Sequence, residues 1–395
     1  MASVRRVLLL VESSRSYGRE CVSGIASYIR GRWRVQHLEQ PLGEELPELA
    51  KRQRCDGAIV DIEHQQMADQ VAKLHVPVVD IRGAYPPSLG ATVATDDKAC
   101  ARLGADHFLH LGFRNFAFCG FPDVSFCEQR CSGYVEYLAG LGHETAVFEQ
   151  GAGNHKSNDA FVREAVGELA ERQIARWLKS LPLPVAVLAC NDARGRQVLD
   201  ACASAGLAVP DEVAVLGIGN DEVICDLAWP PMSSIQPDAF RIGYEGAAVL
   251  DAIMDGEPAP LQPILLPPSG LVVRPSTDVT VLDDEEVVAA LRWIREHASE
   301  GVSIGSMLQE LSLSRATLDR RFRRALGRTA KEELARVRLA RAKQLLVDTR
   351  YKLQQIAAMT GYPSAAQFIL AFKRQTGITP GQYRRRQKPF SRPLQ

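Results

Sequence analysis

The 395-residue chain has no net charge, no apolar stretch long enough to cross a membrane and no paired-cysteine motif. A membrane span needs roughly 18 consecutive apolar residues, and nothing here approaches that. The start, Met1-Ala2-Ser3-Val4-Arg5-Arg6 and then Val7 to Val11, is too short for a signal-peptide core and carries no cleavage site, so a cytoplasmic protein is expected. Nine cysteines are an odd number, all before residue 226, and the closest pair, Cys127 and Cys131, stands one helical turn apart. Neither a zinc site nor a disulfide framework fits that layout, which leaves reduced, buried thiols.

The signatures of catalysis are missing as well. The first β-branched run is not followed by GxGxxG, since Gly18 and Gly24 stand too far apart, and no phosphate-binding Gly-Lys-Ser/Thr run or GxSxG elbow occurs. His64, His107, His110, His143, His155 and His297 show no metal-ligand spacing, and the adjacent carboxylates Asp96 and Asp97 have no obvious partner. A non-enzymatic chain without metal or cofactor is expected.

The zero net charge is a cancellation. From Asp283 to Gln395 there are 22 basic residues against 11 acidic, while the part before it has 25 against 36. From Ser303 onward the imbalance is 20 against 5. A basic tail domain that meets a polyanion, joined to an acidic body that does not, accounts for the split. The boundary lies where Pro267-Pro268-Ser269-Gly270 and Arg274-Pro275-Ser276-Thr277 give way to Asp283-Asp284-Glu285-Glu286, acidic residues suited to start a helix. The expected division is a body over 1–277, a linker over 278–286 and a tail domain over 287–390.

In the body, short apolar runs alternate with amphipathic stretches. Val7–Val11, Gly57–Asp61, Val76–Asp80, Phe116–Phe118, Val185–Ala189 and Val213–Gly217 read as strands covered on both faces, the mark of a parallel α/β sheet. Lys98–His110 and Asn191–Ala205 read as helices between them. Some 280 residues with this many units imply two lobes. In the tail domain strand signals vanish.

An internal repeat dominates the tail. Ser314, Leu318, Phe322, Arg323-Arg324, Gly327 and Thr329 recur fifty residues later as Ser364, Phe368, Phe372, Lys373-Arg374, Gly377 and Thr379. Each copy reads as a capped helix: serine at the N-cap, one apolar stripe, bases in the last turns, glycine past the end. In the first copy Leu313 and Leu318 suit a hydrophobic staple. A short helix precedes each serine (Ile304, Leu308, Leu311; Leu353, Ile356, Ala357), and Ala335, Leu339, Ala342 and Leu346 mark a joining helix. Helix, tight turn and basic capped helix is the helix-turn-helix that lays its second helix in a major groove.

Residues 284–388, with the closing Gly377-Ile378-Thr379-Pro380-Gly381-Gln382-Tyr383-Arg384, resemble an AraC-type DNA-binding domain, in which two such units enter successive major grooves. The body resembles the LacI/GalR effector module, related to periplasmic sugar-binding proteins, through His110–Ala117, Val213–Gly217 and Pro230-Pro231-Met232-Ser233-Ser234-Ile235. This order of modules resembles the family of xylose-operon regulators. The resemblance implies a two-lobed α/β periplasmic-binding-protein-like domain followed by an all-α domain with two helix-turn-helix units. It further implies a homodimer controlled by a small sugar, D-xylose or a related pentose. Its partners would be double-stranded operator DNA and, for an activator, RNA polymerase. A non-sugar effector, or a body that only dimerises, is the alternative.

In a two-lobed α/β module a ligand sits beyond the carboxyl ends of the strands. Tyr17 and Arg19, Phe126 and Arg130, Asn191 and Asp192, and Asn220 and Asp221 follow strands and are the ligand candidates. Asp, Asn and Arg hold hydroxyls bidentately, and Tyr17 or Phe126 supplies an apolar face. Asn191, Asp192 and Asp221 also suit helix caps, and Arg130 a surface position, as the lesser readings. By resemblance Arg130, Asn191-Asp192 and the residues after Gly217 match sugar-contacting positions, although Gly219 stands where the family commonly has Asp. The DNA-binding candidates are Arg315, Thr317, Arg320 and Arg321 in the first copy and Ser364, Gln367, Lys373 and Arg374 in the second. Arg320, Arg321, Arg323 and Arg324 cannot all face DNA, because consecutive helical residues point in different directions.

Overall fold

The computed structural model describes residues 4–39, 46–85, 90–148, 171–279, 284–326, 328–349 and 351–387. The chain divides into two compact units, Met1–Thr280 and Val281–Gln395.

The first unit is α/β with two sheets. Its strands are β1 (Arg5–Leu10), β2 (Trp33–Leu38), β3 (Gly57–Val60), β4 (Val78–Asp80), β5 (Ala91–Thr95), β6 (Asn115–Cys119), β7 (Thr145–Val147), β8 (Val185–Ala189), β9 (Val213–Ile218), β10 (Ser233–Gln236), β11 (Ile264–Leu266) and β12 (Gly270–Val272). One sheet runs in the order β11-β5-β4-β3-β1-β2 and the other β12-β10-β9-β8-β6-β7; every pairing is parallel except β10 with β12. All six expected strands are present, with Val76–Asp80 shortened to its last three residues.

The first sheet shows why its strands carry continuous apolar runs. Val7, Leu9 and Val11 face one side, against Cys21 and Ile25 of α1 (Ser16–Ile29) and Ile242 and Leu250 of a later helix, Ala239–Met254. Leu8 and Leu10 face the other, against Leu46 and Leu49 of α2 (Leu46–Gln53) and Met67 and Val71 of α3 (Gln65–Val71). Alternate side chains point to opposite faces, so a sheet buried twice has no polar side. Each fully buried leucine contributes about 1.5–3 kcal/mol. Helix α1 crosses Ala239–Met254 at backbone contact. A Cβ on Gly24 would lie 1.9 Å from the Phe240 carbonyl oxygen, and one on Gly243 equally close to that of Cys21.

The second lobe contains α4 (Asp97–His110), α5 (Ser125–Gly140), α6 (Glu171–Ser180), α7 (Asp192–Ala205) and α8 (Glu222–Leu227); Ala239–Met254, which returns to the first lobe, is α9. Three segments cross between the lobes, at Thr95–Asp97, Gln236–Ala239 and 267–269, and they are stitched by Asp96 N–H to the Leu266 carbonyl (2.8 Å) and Ser269 N–H to that of Gln236 (2.9 Å). All nine cysteines are free thiols.

The division between the two units falls after Thr280, within the stretch 278–286 read as a linker. Ser276 and Thr277 are fully buried, Ser276 donating to the Val215 carbonyl (2.6 Å) and Thr277 sharing a hydrogen bond with Ser233 (2.7 Å). Val279 is buried too, and α10 (Glu285–His297) starts with Asp284 as its N-cap. The first unit thus keeps packing past 277 and the helical unit begins before 287; residues 280–283 lie outside the described residues.

The described residues of the second unit form helices without strands: α10, α11 (Ile304–Glu310), α12 (Arg315–Leu326), α13 (Ala330–Asp348), α14 (Leu353–Met359), α15 (Ala365–Thr376) and α16 (Pro380–Gln387). Each repeat has its own core. Leu318 and Phe322 pack with Val287, Ile294, Met307 and Leu334, and Phe368 and Phe372 with Ala342, Leu346, Ile356 and Ala357. Helix α13 serves both, giving Leu334 to one core and Leu346 to the other, and begins in a capping box between Thr329 and Glu332. Gly377 ends α15 at φ +77°; its counterpart Gly327 lies outside the described residues, as does His155.

Candidate functional site

A cavity of about 730 Å³ lies between the two lobes of the first unit, at the carboxyl ends of the strands. From the first lobe Tyr17 enters on the first turn of α1, its hydroxyl 3.2 Å from that of Thr95 just before the crossing. Asp61 and Glu63 follow β3 and both grip Arg82, which follows β4; Arg82 Nη2 is 2.9 Å from Asp61 Oδ2 and 2.6 Å from Glu63 Oε1. Beneath them Asp80 accepts the N–H groups of Arg82 (3.0 Å) and Gly83 (2.9 Å), and burial pushes its carboxyl up to about 6.

From the second lobe, Arg130 on α5 donates through Nε to Asp97 Oδ1 (2.7 Å) and through Nη1 to the Cys190 carbonyl, and lies over the Phe126 ring at 4.8 Å. Burial raises the Asp97 carboxyl above its ordinary range in spite of Arg130. Asn191 caps α7, accepting from Arg194 N–H (2.9 Å). Asp192 is wholly enclosed: it accepts from the Ser234 hydroxyl (2.5 Å) and the Asp221 N–H (2.8 Å), and burial pushes it up to about 6. Asp221 caps α8 and also accepts the Ser16 N–H at 3.2 Å, joining the lobes across the mouth of the cleft.

Tyr17, Phe126, Arg130, Asn191, Asp192 and Asp221 therefore converge on one cavity. Two ligand candidates do not. Arg19 is exposed and folds back onto the Ser13 and Ser14 carbonyls. Asn220 turns toward the far side of its loop, its Oδ1 accepting from Arg274 at 2.9 Å. Neither borders the cavity. Asp97, expected to have no partner, has one in Arg130, and Asp96 caps α4 through Ala99 N–H (2.8 Å). Asp61, Glu63, Arg82, Thr95 and Asp97 escaped the sequence reading. The first three obey the strand-end rule that found the others, Asp61 having been read as the last residue of its strand.

Gly219 has φ +141°, and a Cβ there would lie 2.7 Å from Asp192 Oδ2. The backbone thus turns through a conformation that favours glycine, against a buried carboxylate.

In the helical unit, Ser314 and Ser364 cap their helices, accepting from the Thr317 (3.2 Å) and Gln367 (3.3 Å) N–H groups. Arg315, Arg320, Arg323 and Arg324 are exposed on α12, and Gln367, Lys373 and Arg374 on α15. Thr317 is half-buried and its hydroxyl accepts from Ser314. Arg321 is occupied otherwise: Nη1 meets Asp284 at 2.9 Å and Nε meets Glu286 at 3.5 Å, tying α12 to the start of α10. On the outer face of α15 Leu370 is 71% exposed.

Known proteins share this arrangement. The description "XylR N-terminal domain" matches residues 6–97, "Periplasmic binding protein-like domain" matches 105–277 and "Helix-turn-helix domain" matches 307–386. The xylose operon regulatory protein of Escherichia coli K12 is 30% identical over 391 residues, 96% of each chain. That of Haemophilus influenzae is 28% identical, covering 96% of this chain and 98% of its own. The solved structure of a xylose-binding transcription activator, XylR, superposes with a TM-score of 0.76 at 28% identity, over 98% of this chain and all of the other.

Proposed function

This chain belongs to the family of xylose operon regulators, DNA-binding transcription regulators, and from that membership we propose that D-xylose or a related pentose is its effector. The observation that carries the reading is the set of paired charges at the strand ends. Arg82 is fixed by Asp61 and Glu63, and Arg130 by Asp97, so each guanidinium and carboxylate is already oriented before a ligand arrives. Neutral hydroxyls, which donate and accept at once, suit such pairs, because each hydroxyl can bridge a carboxylate and an arginine. Phe126, backed by Arg130, offers the apolar face a sugar ring covers with its C–H groups.

The effector joins groups from both lobes and so favours their closed arrangement; the differential affinity is what shifts the population. Closure alters affinity for operator half-sites by the same coupling free energy with which DNA alters affinity for the sugar. The regulator acts as a homodimer and as an activator, recruiting RNA polymerase, in the cytoplasm. No helix among the described residues is long and apolar enough to cross a membrane.

Calorimetry on the full chain with D-xylose, L-arabinose and D-ribose, with and without operator DNA, tests the reading. Micromolar to millimolar binding of one pentose, shifted by DNA, supports it; heat from none of them ends it.

A further inference from the structure

We propose that Thr277 is the joint through which effector binding reaches the chain leaving for the DNA-binding unit. Its hydroxyl is gripped at once by α4 and by β10, and each of these also holds a group that lines the cleft. This rests on the sugar reading above and names how occupancy of that site is transmitted.

The His107 Nε2 lies 3.0 Å from Thr277 Oγ1, and the Ser233 hydroxyl lies 2.7 Å from it on the other side. Burial pushes the His107 ring down to about 4, so near neutral pH the ring is uncharged and donates through one nitrogen only. The order that satisfies every group runs from His107 to Thr277, from Thr277 to Ser233, and from Ser233 to the Arg274 carbonyl at 2.9 Å. Ser233 also accepts the Arg274 N–H at 2.8 Å. Packing alone anchors the neighbouring Val279, whereas directional hydrogen bonds hold Thr277 in one register.

Both holders reach back to the cleft. Helix α4 carries His107 in its last turn and Asp97, the partner of Arg130, in its first. Ten residues at 1.5 Å each put about 15 Å between them. Strand β10 carries Ser233 and Ser234 side by side, and adjacent strand residues face opposite ways. It therefore holds Thr277 on one face and, through the Ser234 hydroxyl, Asp192 on the other.

The same two elements adjoin the crossings between the lobes. Helix α4 begins in Thr95–Asp97, and β10 leads into Gln236–Ala239. Lobe closure bends both crossings, and a sugar hydroxyl donated to Asp192 competes with that of Ser234. Each event shifts α4 against β10, and about 1 Å is enough to carry a 2.7 Å hydrogen bond past bonding distance.

Asn220, which does not border the cavity, belongs to this joint. Its N–H donates to the Ser234 hydroxyl at 2.9 Å, and its Oδ1 accepts from Arg274, three residues before Thr277. These bonds hold it at φ +50°, an uncommon conformation for a residue other than glycine.

The test is calorimetry on the full chain with D-xylose, with and without DNA recovered by binding-site selection on the parent, for Thr277→Val, Thr277→Ser and His107→Leu. In the parent the two affinities should differ by about fivefold or more. Thr277→Val keeps the shape and removes the hydroxyl. It and His107→Leu should bring the ratio below about twofold, with affinity in the absence of DNA within about threefold of the parent. Thr277→Ser, which keeps the hydroxyl, should retain the parent ratio. His107 is only half-buried, so its variant decides the matter where Thr277→Val does not fold. Lowered urea midpoints with an unchanged ratio would make the hydroxyl a structural anchor and overturn the joint. Loss of the ratio in Thr277→Ser, or a parent that binds D-xylose independently of DNA, overturns it too, and the sugar pocket then stands. A parent that binds no pentose removes the sugar reading, and this inference with it.

Discussion

The Asp97 carboxylate and the Arg130 guanidinium meet at 2.7 Å, both nearly excluded from solvent, and this pair lines one wall of the cavity between the lobes. Asp97 stands on the first turn after the crossing from the first lobe, and Arg130 one turn into α5. Taking both charges out of water is costly, and the pair recovers that cost only while it is intact.

Arg130→Ala should therefore do two separable things. Effector affinity falls by about 1.5–3 kcal/mol, the worth of charge-assisted hydrogen bonds. Folding stability falls by about 3–5 kcal/mol, because Asp97 is left buried without its partner. Asp97→Asn in the same chain should restore much of the stability and none of the affinity. Urea melts and calorimetry on the single and double variants distinguish the two effects. Unchanged affinity in Arg130→Ala would leave Arg130 a purely structural residue.

Much of the fold could be read from the sequence, because a strand buried on both faces announces itself as a continuous apolar run, and β1, β3 and β8 are such strands. β2 is different: it is the edge of its sheet, with Arg34, Val35 and His37 exposed, and its mixed pattern hides it. The helical unit was legible because the repeat writes each core twice. The cleft was legible only in part. Position after a strand flags a residue, but the partner that decides its role is distant in sequence: Asp97 is 33 residues from Arg130, and Asp284 is 37 from Arg321. Local pattern cannot tell Arg320, which is exposed, from Arg321, which is held.

Asp192 should make the stability of the first unit depend on pH. Burial lifts its carboxyl from 3.8 to about 6, so the folded form holds the proton more tightly than the unfolded chain. Stability contributed by this group is then greatest below about pH 4 and is lost as pH rises through 6; two units correspond to about 3 kcal/mol. Asp192→Asn should flatten the urea-midpoint profile between pH 4 and 7. A variant profile parallel to the parent's would assign the slope elsewhere, Asp80 being the other carboxyl pushed to about 6.

Gly219 should tolerate no side chain. At φ +141° a substituent is strained by about 1–3 kcal/mol, and its Cβ would lie 2.7 Å from Asp192 Oδ2. Gly219→Ala is expected to lower both stability and effector affinity. Gly219→Asp should do worse, since it sets a second carboxylate beside a buried one. Thermal melts and calorimetry check both, and an aspartate variant that binds effector like the parent would show that the loop can be rebuilt around Asp192.

The two helix-turn-helix units should divide their labour unequally. Base-reading residues lie on the face opposite the buried stripe, near the N-terminal turns. On α12 that face carries exposed Arg315 and Arg320, and arginine grips guanine bidentately, discriminating by about 1–3 kcal/mol. Arg321 is removed from the reading set by Asp284 and Glu286, so Arg321→Ala should cost at most about 1 kcal/mol of stability and leave the selected motif alone. On α15 the same face carries Ala366, Gln367 and the exposed Leu370, which suit thymine methyls and one amide contact. Lys373 and Arg374, exposed in the last turn, suit phosphates. Arg320→Ala is expected to relax sequence preference, whereas Lys373→Ala should weaken all sites alike and lower the salt slope by about one unit. Binding-site selection on each variant measures this directly. A motif that survives Arg320→Ala but disappears with Gln367→Ala would place the main base readout in the second unit.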